Sequence, residues 1–298
     1  MDLKVLLWNL QDLFIFMDHY KGEDLSQLSE PKWQLLTTSF KNNKDLDKVI
    51  AISDLVSSVS PDIFLLTEVG GKETLNNLNQ HFLNDMYEVL HFNSNSDRGI
   101  DIAILVKRES KLSFKTKFHS QKVFARGLHE LLLTIDDKKI FFYLTHLKSK
   151  LNLRGKDFEG RAQRKLEVDQ IERIIKKNSA SNHHHILCGD LNGIIYKDQT
   201  EPELAQFSKK LGLTDALEIL DKEHYERTTY LYFVKNRETV HMQLDYFLLS
   251  KHLKRHIGVN TQVLDFDGGF RTVFPKDIKE KFKHPSDHYP YLLELINL

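Results

Sequence analysis

The chain has 298 residues, room for one large domain or two small ones, and its 41% hydrophobic and 28% charged content is that of a globular protein with a sizeable core. Lys and Arg number 42, as do Asp and Glu, which excludes a global attraction to nucleic acid or anionic membrane; any polyanion contact must come from local patches. The single Cys188 excludes an internal disulfide framework and fits a reducing compartment.

The first apolar run, "KVLLWNLQDLFIF", is interrupted by Asn9, Gln11 and Asp12, lacks a clean basic leader and is followed by no small-residue cleavage site. It reads as a strand and not as a signal peptide. No apolar run reaches the roughly 20 residues of a membrane span, so a cytoplasmic protein is expected, with leaderless export left open. "LKVLLWNL" and "DIFLLTEV" are short apolar runs that end in polar residues, the pattern of buried strands. Between them, "DLDKVIAISDLVSSV" sets Leu46, Val49, Ile50, Leu55 and Val56 at helical spacing and stops before Pro61, completing a strand–helix–strand unit. Residues 17–43 carry no readable pattern and stand as an insertion after the first strand.

"YEVLHFN", "GIDIAILVKR", "LSFKTKFH", "GLHELLLTI" and "KIFFYLTHL" follow as closely spaced strands, which predicts antiparallel neighbours. A long helix over "FEGRAQRKLEVDQIERIIKK" turns Leu166, Ile171, Ile174 and Ile175 to one side. "HHILCGDL" is the next strand, "EPELAQFSKKLG" a helix closed by Gly212, and "HMQLDYFLLS" and "YPYLLELINL" the last strands. With no linker and no repeat, the expectation is an α/β fold in one domain over 1–298, two mixed sheets covered by helices.

Polar residues collect where these strands end: Asn9, Glu68, His146, Asp190 with Asn192, and Asp287-His288 before the last strand, with Asp245 inside "QLDYFLLS". Layered α/β folds bind ligands at such strand mouths. Alone, Asn9 equally suits a turn, and His146 equally suits a hydrogen-bonded strand end. Glu68, entering partial burial, calls for a positive partner. In "GDLNG" an extended chain points Asp190 and Asn192 the same way, while Gly189 and Gly193 permit close backbone approach; a tight turn is the competing reading. Pro285 and Pro290 restrict the chain around Asp287 and His288, an acid and imidazole suited to a metal or a phosphate. Asp245, an acid in an apolar strand, needs a partner, and His288 is the obvious one. His183, His184 and His185 alternate across a strand, so they read as a solvated strand entrance and not as a metal site. Cys188, Trp8 and Trp33 read as packing.

In order, "WNLQDLF", "PDIFLLTEV", "RGIDIAILV", "THLKSK", "GDLNG", "QLDYFLLS" and "PSDHYP" resemble the endonuclease/exonuclease/phosphatase superfamily, from Leu3 to Leu298. That family includes pancreatic-type deoxyribonucleases, abasic-site endonucleases, neutral sphingomyelinases and inositol-polyphosphate 5-phosphatases. The resemblance implies a four-layer sandwich, two packed mixed sheets flanked by helices. It implies Glu68 as the principal ligand of a divalent cation, Mg²⁺ or Mn²⁺, with Asn9 beside it and Asp287 at the rear. Asp190 would orient or deprotonate the attacking water and Asn192 hydrogen-bond the scissile phosphate. His288 would contact a non-bridging oxygen, held by Asp245, and His146 would assist the leaving oxygen. Arg126 and Lys148 are expected on substrate phosphate. Asp101 is either the orienting partner of His146 or a strand-end charge. Many relatives carry an acid where this chain has Gln11, so one metal at Glu68 is expected in preference to two.

Phosphate ester hydrolysis requires an activated water, neutralised phosphoryl charge and help for the leaving group, and this set covers all three. Two basic stretches point to a substrate with several phosphates: Lys148, Lys150, Arg154, Lys156, Arg161, Arg164 and Lys165 after His146, and Arg271, Lys276, Lys279, Lys281 and Lys283 before Asp287. Solvated helix and loop faces are the bland alternative. The expectation is a divalent-metal-dependent phosphoester hydrolase, first of all a nuclease with nucleic acid as substrate. The competing readings are a phosphatase or phosphodiesterase on inositol phosphates or another small or lipid phosphate ester, and a silent binding scaffold. No protein partner is evident.

Overall fold

A computed structural model describes residues 1–96, 98–150, 157–196, 199–234 and 238–298. The first sheet takes β1 (Leu3–Leu13), β2 (Ile63–Val69), β3 (Tyr87–His91) and β4 (Asp101–Lys107). The second takes β5 (Ser113–His119), β6 (Leu128–Ile135), β7 (Lys138–His146), β8 (His183–Asp190) and β9 (Thr214–Asp215). A hairpin of β10 (Tyr230–Tyr232) and β11 (Val240–Met242) precedes β12 (Asp245–Leu249), which returns to the second sheet. β13 (Gln262–Val263) and β14 (Tyr291–Leu295) return to the first. The strand orders are β13-β14-β1-β2-β4-β3 and β5-β6-β7-β8-β12-β9. Each sheet is mixed, with one parallel pair near its centre, β1 with β2 and β7 with β8.

The central strands β1, β2, β4, β7, β8 and β12 are near-continuous apolar runs because both faces are buried. Leu3, Val5 and Leu7 of β1 point into the core between the sheets, where Ile186 and Cys188 of β8 meet them. The alternate residues Leu6, Trp8 and Leu10 face the outer layer of the first sheet, and Leu187 of β8 faces that of the second. Helices α1 (Glu30–Gln34), α2 (Leu46–Val59) and α3 (Gly71–Phe82) cover the first sheet, and α4 (Arg161–Lys177) and α5 (Gln206–Lys209) the second. The result is the expected helix–sheet–sheet–helix sandwich. Among the described residues no helix is long and apolar enough to cross a membrane.

Several local expectations fail. The whole of α3 was unanticipated; Leu75, Leu78 and Phe82 anchor an otherwise polar helix. "EPELAQFSKKLG" is helical only over α5, and "HMQLDYFLLS" divides into β11 and β12. Leu166 is 55% exposed; the buried side of α4 is instead Arg164, Val168, Ile171, Ile174 and Ile175. The histidines of β8 are a solvated entrance only in part: His183 and His184 are half-buried, with His183 Nδ1 on the Asn178 carbonyl, whereas His185 is buried, its ring stacked on Phe141 and Tyr143. Within residues 17–43, Trp33 is buried edge-on against Phe82 and donates to the Lys44 carbonyl at 2.8 Å, while Tyr20 meets the His81 ring. This segment therefore lies over α3 and the start of α2.

Candidate active site

Sheet register alone assembles the centre of the site. In the parallel β7–β8 pair His146 stands opposite Asp190, and in the antiparallel β12–β8 pair Asp245 stands opposite the same residue. Asp190 is thus flanked by an imidazole and a carboxylate. From the other sheet, Asn9, where the regular pairing of β1 with β2 breaks, donates its amide to Asp190 Oδ2 at 3.1 Å. The backbone N–H of Asn192 donates to Oδ1 at 2.9 Å. His146 Nε2 lies 3.4 Å from Asp190 Oδ2 and 3.8 Å from Glu68 Oε1. His288 Nε2 lies 4.0 Å from Asp190 Oδ2, and its Nδ1 bonds Asp245 Oδ2 at 2.7 Å.

Bonds between β1 and the segment just before β14 fix the site. Trp8 donates its indole N–H to the His288 carbonyl at 2.8 Å, and the Ser286 hydroxyl donates to the Asn9 carbonyl at 2.6 Å. The chain is strained around this point. Gln11, Asp12, Glu68 and Asn192 all have left-handed φ, between 47° and 60°, which non-glycine residues adopt at a cost. Such strain persists where packing over-determines it, commonly at functional sites. Both β1 and β2 carry register irregularities here, between Asn9 and Leu13 and between Thr67 and Val69.

The electrostatics follow from burial in a crowded acid cluster. Burial, with Asp245 beside it, pushes the Asp190 carboxyl up to about 7. Burial and Asp12 raise Glu68 against the pull of Arg98, His288 and Arg126. Burial lowers His146 well below the usual imidazole range, and the cations Arg126, His288 and Arg98 push the same way, so this ring is neutral. Burial also pulls His288 down, but Asp245, Asp287 and Asp190 outweigh it and carry the imidazole up to about 10. Two histidines in one pocket therefore hold opposite charge states.

The remaining expected residues are less uniform. Arg126 is buried and donates to the Leu147 carbonyl at 3.2 Å, and the Asn192 side-chain amide donates to the same oxygen at 3.1 Å. Lys148 uses its backbone N–H on Glu167 at 2.9 Å. Asp287 pairs with Lys281 Nζ at 3.8 Å. Asp101 does not meet His146: it bonds His91 at 2.7 Å and the Ser94 N–H at 3.0 Å, while His146 Nδ1 is buried with no hydrogen-bond partner. The orienting pair expected there is absent, because the β3–β4 pairing gives Asp101 its own imidazole.

Two further residues went unnoticed in the sequence. Arg98 clamps Asp12 with two 2.8 Å bonds and stands 3.8 Å from Glu68 Oε2. The Tyr230 ring sits 4.9 Å from the His288 ring. Arg98 was visible as the first residue of "RGIDIAILV", but its partner lies 86 positions away.

The basic stretches also read differently in three dimensions. Arg154 and Lys156 lie outside the described residues. Arg164 is fully buried on Glu203 and Glu201; Lys150, Arg161 and Lys165 pair with Glu201, Glu159 and Asp169. Arg271 is spent on the Tyr225 and Thr228 carbonyls and the faces of Phe274 and Tyr289, and Lys281 on the Leu231 carbonyl and the Tyr230 ring. Arg164, Arg271 and Lys281 are thus committed inside the fold, while Arg161 and Lys165 form their pairs at the surface.

Among the described residues, Asp190, Asp245 and His288 each offer a ligand atom within 4.8 Å of the others. Two of the three are already committed to each other, His288 Nδ1 bonding Asp245 Oδ2 at 2.7 Å. The carboxylate on the opposite side, Glu68, fits better. It is partly buried and raised by burial and Asp12, a crowded negative charge that a hard divalent cation would relieve.

The profile of the Endonuclease/Exonuclease/phosphatase family matches residues 4–291. The chain belongs to that family. Its architecture is accordingly that of the metal-dependent phosphoesterases. Truncated TDP2 of Caenorhabditis elegans is 21% identical, with a TM-score of 0.61 over 99% of this chain and 98% of that one. TDP2 of D. rerio in complex with a single-strand DNA product is 16% identical, with a TM-score of 0.62 over 98% of each chain. A mannosyl-6-phosphatase of Bacteroides thetaiotaomicron is 18% identical, with a TM-score of 0.62 over 99% of each. At such identities the likeness is one of fold. No curated protein matches the chain in sequence.

Proposed function

We propose that this family member hydrolyses phosphodiester bonds of nucleic acid, with water attacking phosphorus at the Asp190 cluster. The observation that carries this reading is the convergence of His146, Asn9 and His288 on one carboxylate oxygen, Asp190 Oδ2, at 3.4, 3.1 and 4.0 Å. A divalent cation held by Glu68, with Asn9 and Asp287, would neutralise charge on the phosphoryl oxygens when bound.

Each residue then has a proton or a charge to manage. Asp190, raised to about 7 by burial and Asp245, is a carboxylate basic enough to take a proton from the attacking water. Asn9 and the Asn192 N–H hold its two oxygens in position. His288, held cationic by Asp245, donates from Nε2 to a non-bridging oxygen. Asn192 has a second amide hydrogen beyond the one on Leu147, and Arg126 lies against the same carbonyl; both are placed to meet phosphate. Neutral His146 faces the leaving oxygen.

The DNA product held by the structurally similar zebrafish protein supports nucleic acid as substrate. The equally similar mannosyl-6-phosphatase favours a second reading, a phosphatase on a small sugar or inositol phosphate. A substrate panel decides between them: plasmid, single-stranded DNA, RNA, an abasic duplex, mannose 6-phosphate and inositol phosphates, each with Mg²⁺, Mn²⁺ or EDTA. Metal-dependent strand cleavage is the expected result. Phosphate release from sugars or inositols alone would replace the nuclease reading, and silence on the whole panel would leave a binding scaffold.

A further inference from the structure

Beside Glu68 runs a groove of about 540 Å³ that the hydrolytic chemistry does not use. Gln11, Asp12 and Phe14 line it from the end of β1, Lys41 to Asp45 and Lys48 from the segment entering α2, and Arg98 from the β3–β4 loop. The walls are built. Asn43 exchanges hydrogen bonds with the Phe16 backbone at 2.7 and 3.0 Å, and the Lys44 N–H donates to the Phe14 carbonyl at 2.9 Å. Lys41 lies over the Phe14 ring and donates to the Arg98 carbonyl, tying the two sides together.

The charge of this lining is unbalanced in a chain whose own sums to zero. Four cations, Lys41, Lys44, Lys48 and Arg98, face two carboxylates, Asp12 and Asp45. Arg98 takes Asp12, and Lys48 takes Asp45 at 3.0 Å. Among the described residues Lys41 and Lys44 have no carboxylate within 4.0 Å. Lys44 rests instead on the Leu10 and Gln11 carbonyls, at 3.0 Å each. Burial and Lys48 lower Lys44 to about 8, against the pull of Asp287, Asp45 and Asp12, as expected of a cation short of negative partners. The groove shares a wall with the reaction centre, because Arg98 stands 3.8 Å from Glu68 and the Asp12 N–H donates to Glu68 Oε2 at 3.3 Å.

We propose that this groove holds a second, uncleaved phosphate of the same substrate, with Lys41, Lys44 and Arg98 as its ligands. The inference rests on the phosphoesterase reading of the Asp190 cluster and narrows it: the preferred substrate carries phosphates in series and is not a monophosphate. Ammonium groups supply point charge, and a guanidinium supplies a planar fork suited to phosphate oxygens. The neighbouring phosphodiester of a nucleic-acid strand and the second phosphate of a pyrophosphate linkage present the same chemistry here.

The test compares wild type with Lys41→Gln, Lys44→Gln and the double variant on three substrates: a dinucleoside monophosphate with one phosphodiester, a short single-stranded oligonucleotide, and a dinucleoside pyrophosphate. Loss of a charge-assisted hydrogen bond is expected to raise KM for the oligonucleotide roughly tenfold, with kcat and the single-phosphodiester substrate unchanged. A selective loss on the pyrophosphate instead identifies that source of the second phosphate. Equal losses on all three substrates, or none, overturn the proposal. Binding of a labelled oligonucleotide in EDTA, followed by anisotropy against salt, supplies a readout without turnover. There the double variant should lower the slope of log K against log salt by about 0.7, the value for one phosphate of a single strand; an unchanged slope overturns the groove. An inactive wild type that still binds in this lysine-dependent way would remove the hydrolase reading and keep the groove. An active wild type whose variants bind unchanged would do the reverse.

Discussion

Asp245 holds His288 through a 2.7 Å bond to Nδ1, and the opposite ring nitrogen faces Asp190 across 4.0 Å. Burial alone would discharge this ring; the carboxylates keep it cationic at neutral pH. Asp245→Asn should therefore lower kcat by about 10²-fold or more while the fold persists, the scale of one positioned charged group. The His288 imidazole should also titrate at lower pH by NMR. Unchanged turnover together with unchanged titration would remove Asp245 as a positioning residue.

His146→Ala and Asp190→Asn each remove a group placed for proton handling. Both should reduce kcat by about 10²–10⁴-fold with native circular dichroism, the range for a positioned acid or base. A purified variant that retains near wild-type turnover takes that residue out of the reaction.

Metal removal and its site can be separated. EDTA should abolish turnover, and added Mg²⁺ or Mn²⁺ should raise the melting temperature of wild type. Saturation at 100 times Kd is worth about 2.7 kcal/mol. Glu68→Gln removes the carboxylate and should lose most of that thermal shift. A variant stabilised as strongly as wild type would place the ion elsewhere.

Gly189 lies in β8 opposite Thr145 of β7, with φ of 127°. A Cβ there would stand far inside contact distance of the Thr145 carbonyl oxygen, on the strand that carries His146. Gly189→Ala should cost about 3 kcal/mol or more, from backbone strain and overpacking, measured by denaturant unfolding. A midpoint equal to wild type would show that β7 and β8 can separate without penalty.

One buried histidine should make its own contribution to stability fall in mild acid. Burial, with His91 and His119 nearby, lowers His129 to about 3. Between its unfolded value near 6.5 and that folded value, the unfolded chain binds a proton that the folded chain refuses, so stability declines as pH falls through this window. At pH 5 the loss from His129 is about 2 kcal/mol. His185, lowered to about 4 by burial and the adjacent His183 and His184, adds to it. Denaturation of His129→Gln at pH 7 and pH 5 should show a smaller difference than wild type; an equal one would clear His129 of the effect.

The layers of this fold were legible because double-sided burial writes uninterrupted apolar runs into the strands. The site was legible because it occupies the ends of those runs: Asn9, Glu68, His146 and Asp190 each follow one directly. Helix α3 was hidden because its three apolar anchors, Leu75, Leu78 and Phe82, are scattered through a polar run. The charge pattern misled for a different reason. Sequence counts Arg164 and Arg271 as free cations, whereas folding buries one on Glu203 and lays the other across aromatic rings. Conversely, Lys41 stood in an unreadable segment and Lys44 just after it, and only tertiary contact with Arg98 gathers them into one lining. Long-range pairings of this kind leave no local signal.

The indole of Trp8 grips the carbonyl of His288 across 280 positions of chain. A nascent polypeptide can order β1, β2 and the β7–β8 pair and still lack its imidazolium, which arrives only when β14 docks against β1. Competence for turnover is consequently all-or-none: a molecule frayed at that edge, or nicked before it, is silent however much secondary structure it keeps. Regain of activity after refolding should then lag behind the recovery of far-ultraviolet dichroism.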